Sequence, residues 1–133
     1  MESEHRRVLI VEDDISDMRS AAAALKKLGV SGVDAVNNVG SAIVRLQDAV
    51  DGLRPAPYLV LLDLDFARES GFEVLRFWKS HKGLKDMRIM VWTSMGDTQV
   101  ELSSFFGVDV VRKGPGAKEL DLALQKYFPI PGQ

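Results

Sequence analysis

Acidic, hydroxyl and amino side chains follow the short apolar runs of this sequence. Glu12 and Asp13 follow the first run, Asp63 the third, Thr93 and Ser94 the fourth, and Lys113 the fifth. Continuous apolar runs are typical of parallel strands buried on both faces, and ligands bind beyond the carboxyl ends of such strands. We therefore expect the carboxylates, hydroxyl groups and ammonium group to converge at one edge of a sheet.

Carboxylates held this close repel one another and require a positive charge among them. Mg2+ prefers carboxylate oxygens together with waters and a phosphate oxygen, which favours a magnesium site at Glu12, Asp13 and Asp63. An aspartate can also act as a nucleophile that accepts a phosphoryl group. The pattern predicts phosphoryl transfer to Asp63, with Lys113 and Thr93 binding the phosphoryl oxygens.

Each residue also has a structural interpretation that needs no ligand. Asp13 or Asp14 could cap the helix that follows the first run. Asp63 could be a solvated acid at a strand end, and Thr93 an ordinary strand residue. Lys113, taken alone, could be a surface lysine. Complementary polar groups at four strand ends favour a functional site, because the structural interpretation would have to hold separately at each strand end.

The strand ends belong to a regular alternation of strand and helix patterns. Strands are predicted at Val8–Val11, Val33–Val36, Tyr58–Leu62, Ile89–Trp92 and Val108–Val111. Helices are predicted from about Asp14 to Leu28, from about Ser41 through Leu53, from Ser70 through Trp78, from Asp97 through Phe106, and after Gly116 through Tyr127. Parallel neighbours require crossover connections, so the pattern predicts an α/β fold, a doubly wound five-stranded parallel sheet with five helices.

Local signals set the helix ends and faces. Gly29 is a typical residue just past a helix C-terminus, and Ser70 with Glu73 three positions later forms a capping-box signature. Apolar positions recur at helical spacing in the second helix and predict its buried face. They are Ile43, Leu46, Val50 and Leu53.

The length, composition and charge of the chain limit the classes of protein to which it can belong. The 133 residues, 46% hydrophobic and 27% charged, are typical of one globular domain over residues 1–133. The net charge of -2, with no basic cluster, disfavours partners such as nucleic acid or an anionic membrane. The chain has no cysteine, which excludes disulfides and thiol chemistry. We expect a cytoplasmic protein.

The full set of motifs resembles the receiver domains of the two-component response regulators, over nearly the whole chain. "VLIVEDD" is similar to the first strand and acidic pocket of that family, and "LLDL" to the segment that carries its phosphoacceptor. The resemblance implies a flavodoxin-like fold of the chemotaxis-regulator type. The stretch "SHKGLKDMRIMVWTS" also resembles the small receivers that serve phytochrome-type kinases.

The resemblance assigns a role to each residue of the set and implies Mg2+ as the cofactor. The implied metal ligands are Glu12, Asp13, Asp63 and the backbone carbonyl of Asp65; the implied catalytic residues are Asp63 as phosphoacceptor, Thr93 as switch hydroxyl and Lys113 as phosphate-binding lysine. Gly71 matches the glycine that precedes the third helix of the family. The Asp65 side chain would lie at the site mouth, where the family tunes loss of the phosphoryl group, or be a solvated acid at a loop start.

Three positions depart from the pattern of this family. Ala67 stands where proline is usual, and Val110 replaces the aromatic residue of the switch. The family usually has proline directly after the lysine, and here Gly114 intervenes before Pro115. Valine is too short to move inward as an aromatic ring does, so we expect Val110 to stay packed in both states. The loops around Ala67 and Gly114 are then expected to carry the conformational signal.

The resemblance implies a single-domain bacterial response regulator. It would accept a phosphoryl group on Asp63 from a sensor histidine kinase or a phosphotransfer protein, and catalyse its own phosphorylation and dephosphorylation rather than turn over a substrate. No DNA-binding domain is expected after the last helix. Output would pass to an unidentified protein target or along a phosphorelay, and the protein would be a monomer or weak homodimer.

Two other functions remain open from the sequence. "DLD" resembles the Asp-x-Asp motif of haloacid-dehalogenase-like phosphatases, with Asp63 as nucleophile and Asp65 as acid. That motif normally lies on the first strand, and Phe66 and Ala67 do not match the residues that follow it. A receiver-like binding module that is never phosphorylated is the second possibility. The three departures favour it and the intact acidic pocket opposes it.

Overall fold

The computed structural model describes residues 6–66, 68–94, 101 and 105–130. Its five strands form one parallel sheet in the order β2-β1-β3-β4-β5. The strands are β1 (Val8–Val11), β2 (Val33–Val36), β3 (Leu59–Leu62), β4 (Arg88–Thr93) and β5 (Asp109–Arg112). The predicted fold class is confirmed, and each predicted strand end lies within one residue of the observed one.

Four α-helices lie within the described residues, together with a short 3-10 helix at Lys82–Leu84. The α-helices are α1 (Ile15–Lys27), α2 (Val39–Val50), α3 (Phe72–Ser80) and α4 (Lys118–Leu124). Most of the helix predicted from Asp97 to Phe106 lies outside the described residues. None of the helices in the described part of the chain is long and apolar enough to cross a membrane.

The sheet separates two apolar cores because successive side chains of a strand point to opposite faces. On one face, Leu9, Leu62 and Val91 pack with side chains of α2 and α3. On the other face, Ile10 and Met90 pack with side chains of α1 and α4. Burial on both faces explains why β1 and β3 are uninterrupted apolar runs, and it makes their carboxyl ends the first place where polar groups occur.

The ends of α1 follow the local signals in the sequence. The Asp14 side chain accepts a hydrogen bond from the backbone N–H of Asp17 at 2.8 Å, so Asp14 is the N-cap, as its structural interpretation predicted. After the helix, Gly29 has a φ of 81° and donates its N–H to the carbonyl of Lys26. This left-handed residue terminates the helix at low cost because glycine has no Cβ.

The predicted buried face of α2 is partly wrong. The helix begins at Val39 with Asn38 as its cap, earlier than expected, and it ends before Leu53, whose side chain is 72% exposed. Arg45 takes a place in the buried face that apolar spacing did not predict. Its Nη2 donates to the carbonyl of Pro55 at 2.9 Å, in the loop that leads to β3. Burial of this guanidinium lowers the pKa of Arg45 from its ordinary value.

The capping box predicted at the start of α3 does not form. Gly71 occupies the N-cap position, and the Ser70 hydroxyl accepts a hydrogen bond from the N–H of Phe72 at 3.2 Å. The Glu73 carboxylate pairs with Arg76. Gly71 thus occupies the cap position that the sequence predicted for Ser70.

Gly71 lies against the backbone at the end of β3. A Cβ at this position would lie 2.5 Å from the carbonyl oxygen of Asp63 and 2.7 Å from the Cα of Leu64. Both atoms belong to the backbone, so they cannot rotate away as a flexible side chain would. The absence of a side chain at residue 71 therefore allows the loop and α3 to pack beside Asp63.

We expect Gly71→Ala to destabilise the fold by about 1–3 kcal/mol, the usual cost of inserting a methyl group into a closely packed region. Urea unfolding followed by circular dichroism measures the change. Gly83→Ala is the matched control, because a Cβ at residue 83 would meet nothing within 4 Å. Equal stability of the two variants would contradict the proposed role of Gly71.

Candidate functional site

The site lies at the carboxyl ends of β1 and β3, where the strand order reverses. From β1 the chain passes outward to β2 on one side and then to β3 on the other, which leaves a crevice between the two connections. Glu12 follows β1 and is 3% exposed; Asp63 follows β3 and is 4% exposed. The interpretation of Asp63 as a solvated strand-end acid is therefore wrong.

Three carboxylates meet in this crevice. Each of Glu12, Asp13 and Asp63 offers a carboxylate oxygen, and these atoms lie within 4.8 Å of one another. Asp13 is exposed, so the cluster opens to solvent on one side. A few carboxylate oxygens around an open position are the donors that a hard divalent cation such as Mg2+ requires, since it keeps several of its waters. The residues fit such an ion.

Lys113 supplies the positive charge of the site. Its Nζ lies 2.8 Å from Glu12 Oε2, 2.8 Å from Asp17 Oδ2 and 3.4 Å from Asp63 Oδ2. The side chain is only 14% exposed, so Lys113 is not an ordinary surface lysine. The three N–H bonds of an ammonium group are thus matched by three carboxylates. The backbone N–H of Lys113 donates to the carbonyl of Thr93 at 2.9 Å, which places the lysine beside the end of β4.

Asp17 belongs to the site, and the sequence patterns did not reveal it. It lies in the first turn of α1, where an acid is common because it interacts favourably with the helix dipole. The docking of α1 on the sheet brings its carboxylate to a lysine 96 residues away. Asp13 precedes the Asp14 cap and lies outside α1, so helical spacing does not relate it to Asp17.

The remaining predicted residues surround this cluster. Thr93 is the last residue of β4 and has no exposed surface, whereas Ser94 is exposed. The Asp65 backbone N–H donates to Asp63 Oδ1 at 3.1 Å, and Asp65 forms an isolated bridge with Ser70. The side chain of Asp65 is exposed and is not part of the carboxylate cluster. Coordination by its carbonyl stays a prediction.

The pKa values of Glu12 and Lys113 are both raised, which favours the neutral form of the acid and the charged form of the lysine. Burial, together with the nearby charge of Asp63, raises the pKa of Glu12 to about 7, although hydrogen bonds from Lys113 and Asp14 act to lower it. Burial alone would lower the pKa of Lys113, but the hydrogen bonds to Asp17 and Glu12 outweigh it and raise the pKa above its ordinary value. The lysine is therefore charged, and it stabilises an anionic cluster.

Two of the three departures from the receiver pattern lie within the described residues. Val110 is partly buried and packs against the apolar core on the α2 and α3 side of the sheet. Gly114 is exposed, next to the lysine of the site. Ala67 lies outside the described residues. The departures are thus near residues of the site in the chain, and they leave the carboxylate cluster complete.

Solved structures of response regulators share this fold. Response regulator Rcp1, in its Mn2+-bound form, is 26% identical, with a TM-score of 0.77 and 96% of each chain covered. The phosphorylated cyanobacterial phytochrome response regulator RcpA is 24% identical, with a TM-score of 0.78 over 92% of this chain and 93% of its own. The bacteriophytochrome response regulator RtBRR is 25% identical, with a TM-score of 0.70 over 90% of this chain and 75% of its own.

Comparison by sequence alone adds nothing to this result. No protein-family model matches the chain. No curated protein is significantly similar to it.

The raised pKa of Glu12 makes stability depend on pH. In the folded protein this pKa rises from 4.5 to about 7, so the contribution of Glu12 to stability is complete below about pH 4.5 and is lost as the pH rises through about 7. A divalent cation at this site would bind the ionised carboxylate, so Mg2+ is expected to raise the midpoint of thermal unfolding more at about pH 8 than at about pH 6. Glu12→Gln cannot titrate and should lack this difference. An equal effect of Mg2+ on the wild type at both pH values would contradict the expectation.

Proposed function

Since the chain has the fold of a response-regulator receiver domain, we propose that it accepts a phosphoryl group on Asp63 in a magnesium-dependent reaction. The resemblance inferred from the sequence is confirmed by these structures. One observation carries the proposal: Asp63 is buried at the point where the strand order reverses, between two further acids and the ammonium group of Lys113. With a divalent cation bound beside Lys113, such a site could hold the anionic oxygens of a phosphoryl group.

The geometry favours Asp63 as the nucleophile. Its Oδ1 accepts a hydrogen bond from the Asp65 N–H, which orients the carboxylate, and its Oδ2 lies 3.4 Å from Lys113 Nζ. Attack by a carboxylate oxygen on the phosphorus of a donor would form an acyl phosphate and release the leaving group of that donor. Positive charge near the equatorial oxygens lowers the barrier to this transfer, and Lys113 is placed to supply part of it.

Glu12, Asp13 and Asp63, with the backbone carbonyl of Asp65, would hold the divalent ion. The ion would supply positive charge for the phosphoryl oxygens when bound. Its proposed identity as Mg2+ rests on the all-oxygen donor set and the open side of the cluster. Rcp1, which shares the fold, has been solved in a Mn2+-bound form. Thr93 would donate its hydroxyl to a phosphoryl oxygen from the end of β4.

The proposed donor is a sensor histidine kinase or phosphotransfer protein. A phytochrome-type kinase is the specific class we favour, because RcpA and RtBRR are phytochrome response regulators by name and share the fold over at least 90% of this chain. The proposed setting is the bacterial cytoplasm, and the output is a contact with another protein or a phosphorelay. The protein would act by changing between two conformations rather than by turning over a substrate.

The direct test is phosphorylation with acetyl phosphate and Mg2+, followed by the intact mass. We expect the wild type to gain one phosphoryl group and Asp63→Asn to gain none, because an amide cannot act as the nucleophile. Asp65→Asn is the matched control, since it removes an exposed acid two positions away and should still be labelled. Equal labelling of the wild type and Asp63→Asn would refute the assignment.

A second measurement separates this proposal from the two alternatives. A haloacid-dehalogenase-like phosphatase would turn over a phosphate monoester in Mg2+, whereas a receiver domain would not. A binding module would show neither turnover nor labelling. Labelling without turnover is the result that we expect.

The departures from the receiver pattern predict where phosphorylation changes the protein. We expect hydrogen exchange to change most in the loops 66–70 and 113–116 when beryllofluoride and Mg2+ are added, because neither loop has its usual proline. The first loop is joined to α2 by a hydrogen bond from the Val39 N–H to Glu69 Oε2 at 2.9 Å. Protection that changes only in residues 100–110 would contradict this route.

A further inference from the structure

Asp17 forms an ion pair with Lys113 but is not one of the candidate metal ligands. Its Oδ2 lies 2.8 Å from Lys113 Nζ, closer than Asp63 Oδ2 at 3.4 Å. Among the described residues, the carboxylates close enough to share an ion are Glu12, Asp13 and Asp63. The site therefore contains one acid more than the metal and the phosphoryl group require.

We propose that Asp17 is a positioning residue that competes with the phosphoryl group for the ammonium of Lys113, and so favours the metal-bound, unphosphorylated site. The inference rests on the proposed function, because the competition needs a phosphoryl group on Asp63. It adds to that function a residue of α1 that sets how strongly the phosphoryl group is held.

The first consequence concerns the metal. Lys113 and a divalent cation both interact with Glu12 and Asp63, so the lysine opposes binding of the ion. Asp17 attracts the ammonium group away from those two ligands and also adds a negative charge near the ion. Both effects of Asp17 strengthen metal binding before phosphorylation.

The second consequence concerns the phosphoryl group. A phosphoryl group on Asp63 would place further anionic oxygens beside Lys113. They can accept hydrogen bonds from its ammonium group only if Lys113 gives up hydrogen bonds to its present carboxylate partners. Asp17 keeps one N–H bond of Lys113 for itself, and its carboxylate repels the negative charge of the phosphoryl group. Both effects weaken the hold on a phosphoryl group, so Asp17 acts on the two ligands in opposite directions.

The surroundings of Asp17 keep this acceptor in place. Its backbone N–H is held by the Asp14 cap at 2.8 Å, so the first turn of α1 fixes the position from which the side chain reaches Lys113. The Asp17 side chain is 36% exposed and that of Lys113 is 14% exposed. A pair that is partly open to water has a modest energy, and it can be exchanged for a better acceptor without unfolding the helix.

Asp17→Asn tests the proposal, with Asp14→Asn as the matched control. Both variants remove one negative charge from the same turn, and asparagine caps a helix about as well as aspartate. Of these two acids, it is Asp17 that forms an ion pair with Lys113 in the described structure. Mg2+ affinity is measured by calorimetry without phosphate, and beryllofluoride affinity is then measured at saturating Mg2+.

We expect Asp17→Asn to weaken Mg2+ binding and to tighten beryllofluoride binding, each by about two- to fivefold, the range for one partly exposed ion pair. Asp14→Asn should change both affinities by less than this. Asp17→Ser is a second variant with the same expectation, and a thermal unfolding midpoint confirms that each variant is folded. Shifts in opposite directions separate competition from a loss of structure, which would weaken both ligands.

The failures of the two proposals are distinguishable. If the wild type binds Mg2+ and beryllofluoride but Asp17→Asn shifts neither affinity, shifts both the same way or matches Asp14→Asn, the role of Asp17 is refuted and the proposed function stands. If the wild type binds Mg2+ but no beryllofluoride and is not labelled by acetyl phosphate, the proposed function is refuted, and the inference with it.

Discussion

The excess of negative charge at the carboxyl ends of the strands is the constraint on which the rest of the site depends. Buried carboxylates repel one another and lose their hydration, and both effects favour the protonated acid. Lys113 opposes this by placing its ammonium group within 3.4 Å of three carboxylates. Burial and the nearby charge of Asp63 still raise the pKa of Glu12. Since one cation does not neutralise the cluster, a divalent ion is expected to bind there.

Apolar packing and strand pairing hold the backbone on which this charge cluster lies. Strands β1 and β3 are buried on both faces by apolar contacts, so the backbone beneath Glu12 and Asp63 is held by two cores. The Asp63 N–H donates to the carbonyl of Val11 at 3.0 Å, which extends the pairing of the strands to the site itself. Gly71 lets α3 pack against the same segment. Contacts with both cores and with α3 thus hold the backbone beneath Glu12 and Asp63. Of the departures that the structure describes, Val110 lies in β5 and Gly114 follows that strand.

Local sequence patterns predicted most of the fold, because the ends of helices and strands depend on interactions between residues that are close in the chain. Apolar runs marked the strands to within one residue, and Asp14 and Gly29 marked the ends of α1 through hydrogen bonds between near neighbours. The patterns failed where contacts outside the helix itself matter. Arg45 is buried in α2, and its guanidinium donates to the carbonyl of Pro55 in the loop before β3. Gly71 is the N-cap of α3, where the backbone of Asp63 and Leu64 leaves no room for a Cβ.

For the site, the sequence by itself determined which acids stand at the ends of β1 and β3 and that a lysine follows β5, because these positions depend only on where each strand ends. Only the tertiary structure determined which carboxylates the ammonium group of Lys113 contacts. Asp17 and Lys113 are 96 residues apart and meet only because α1 packs against β1 and α4. An ion pair depends on the distance between two atoms in space, and no spacing along the chain encodes that distance.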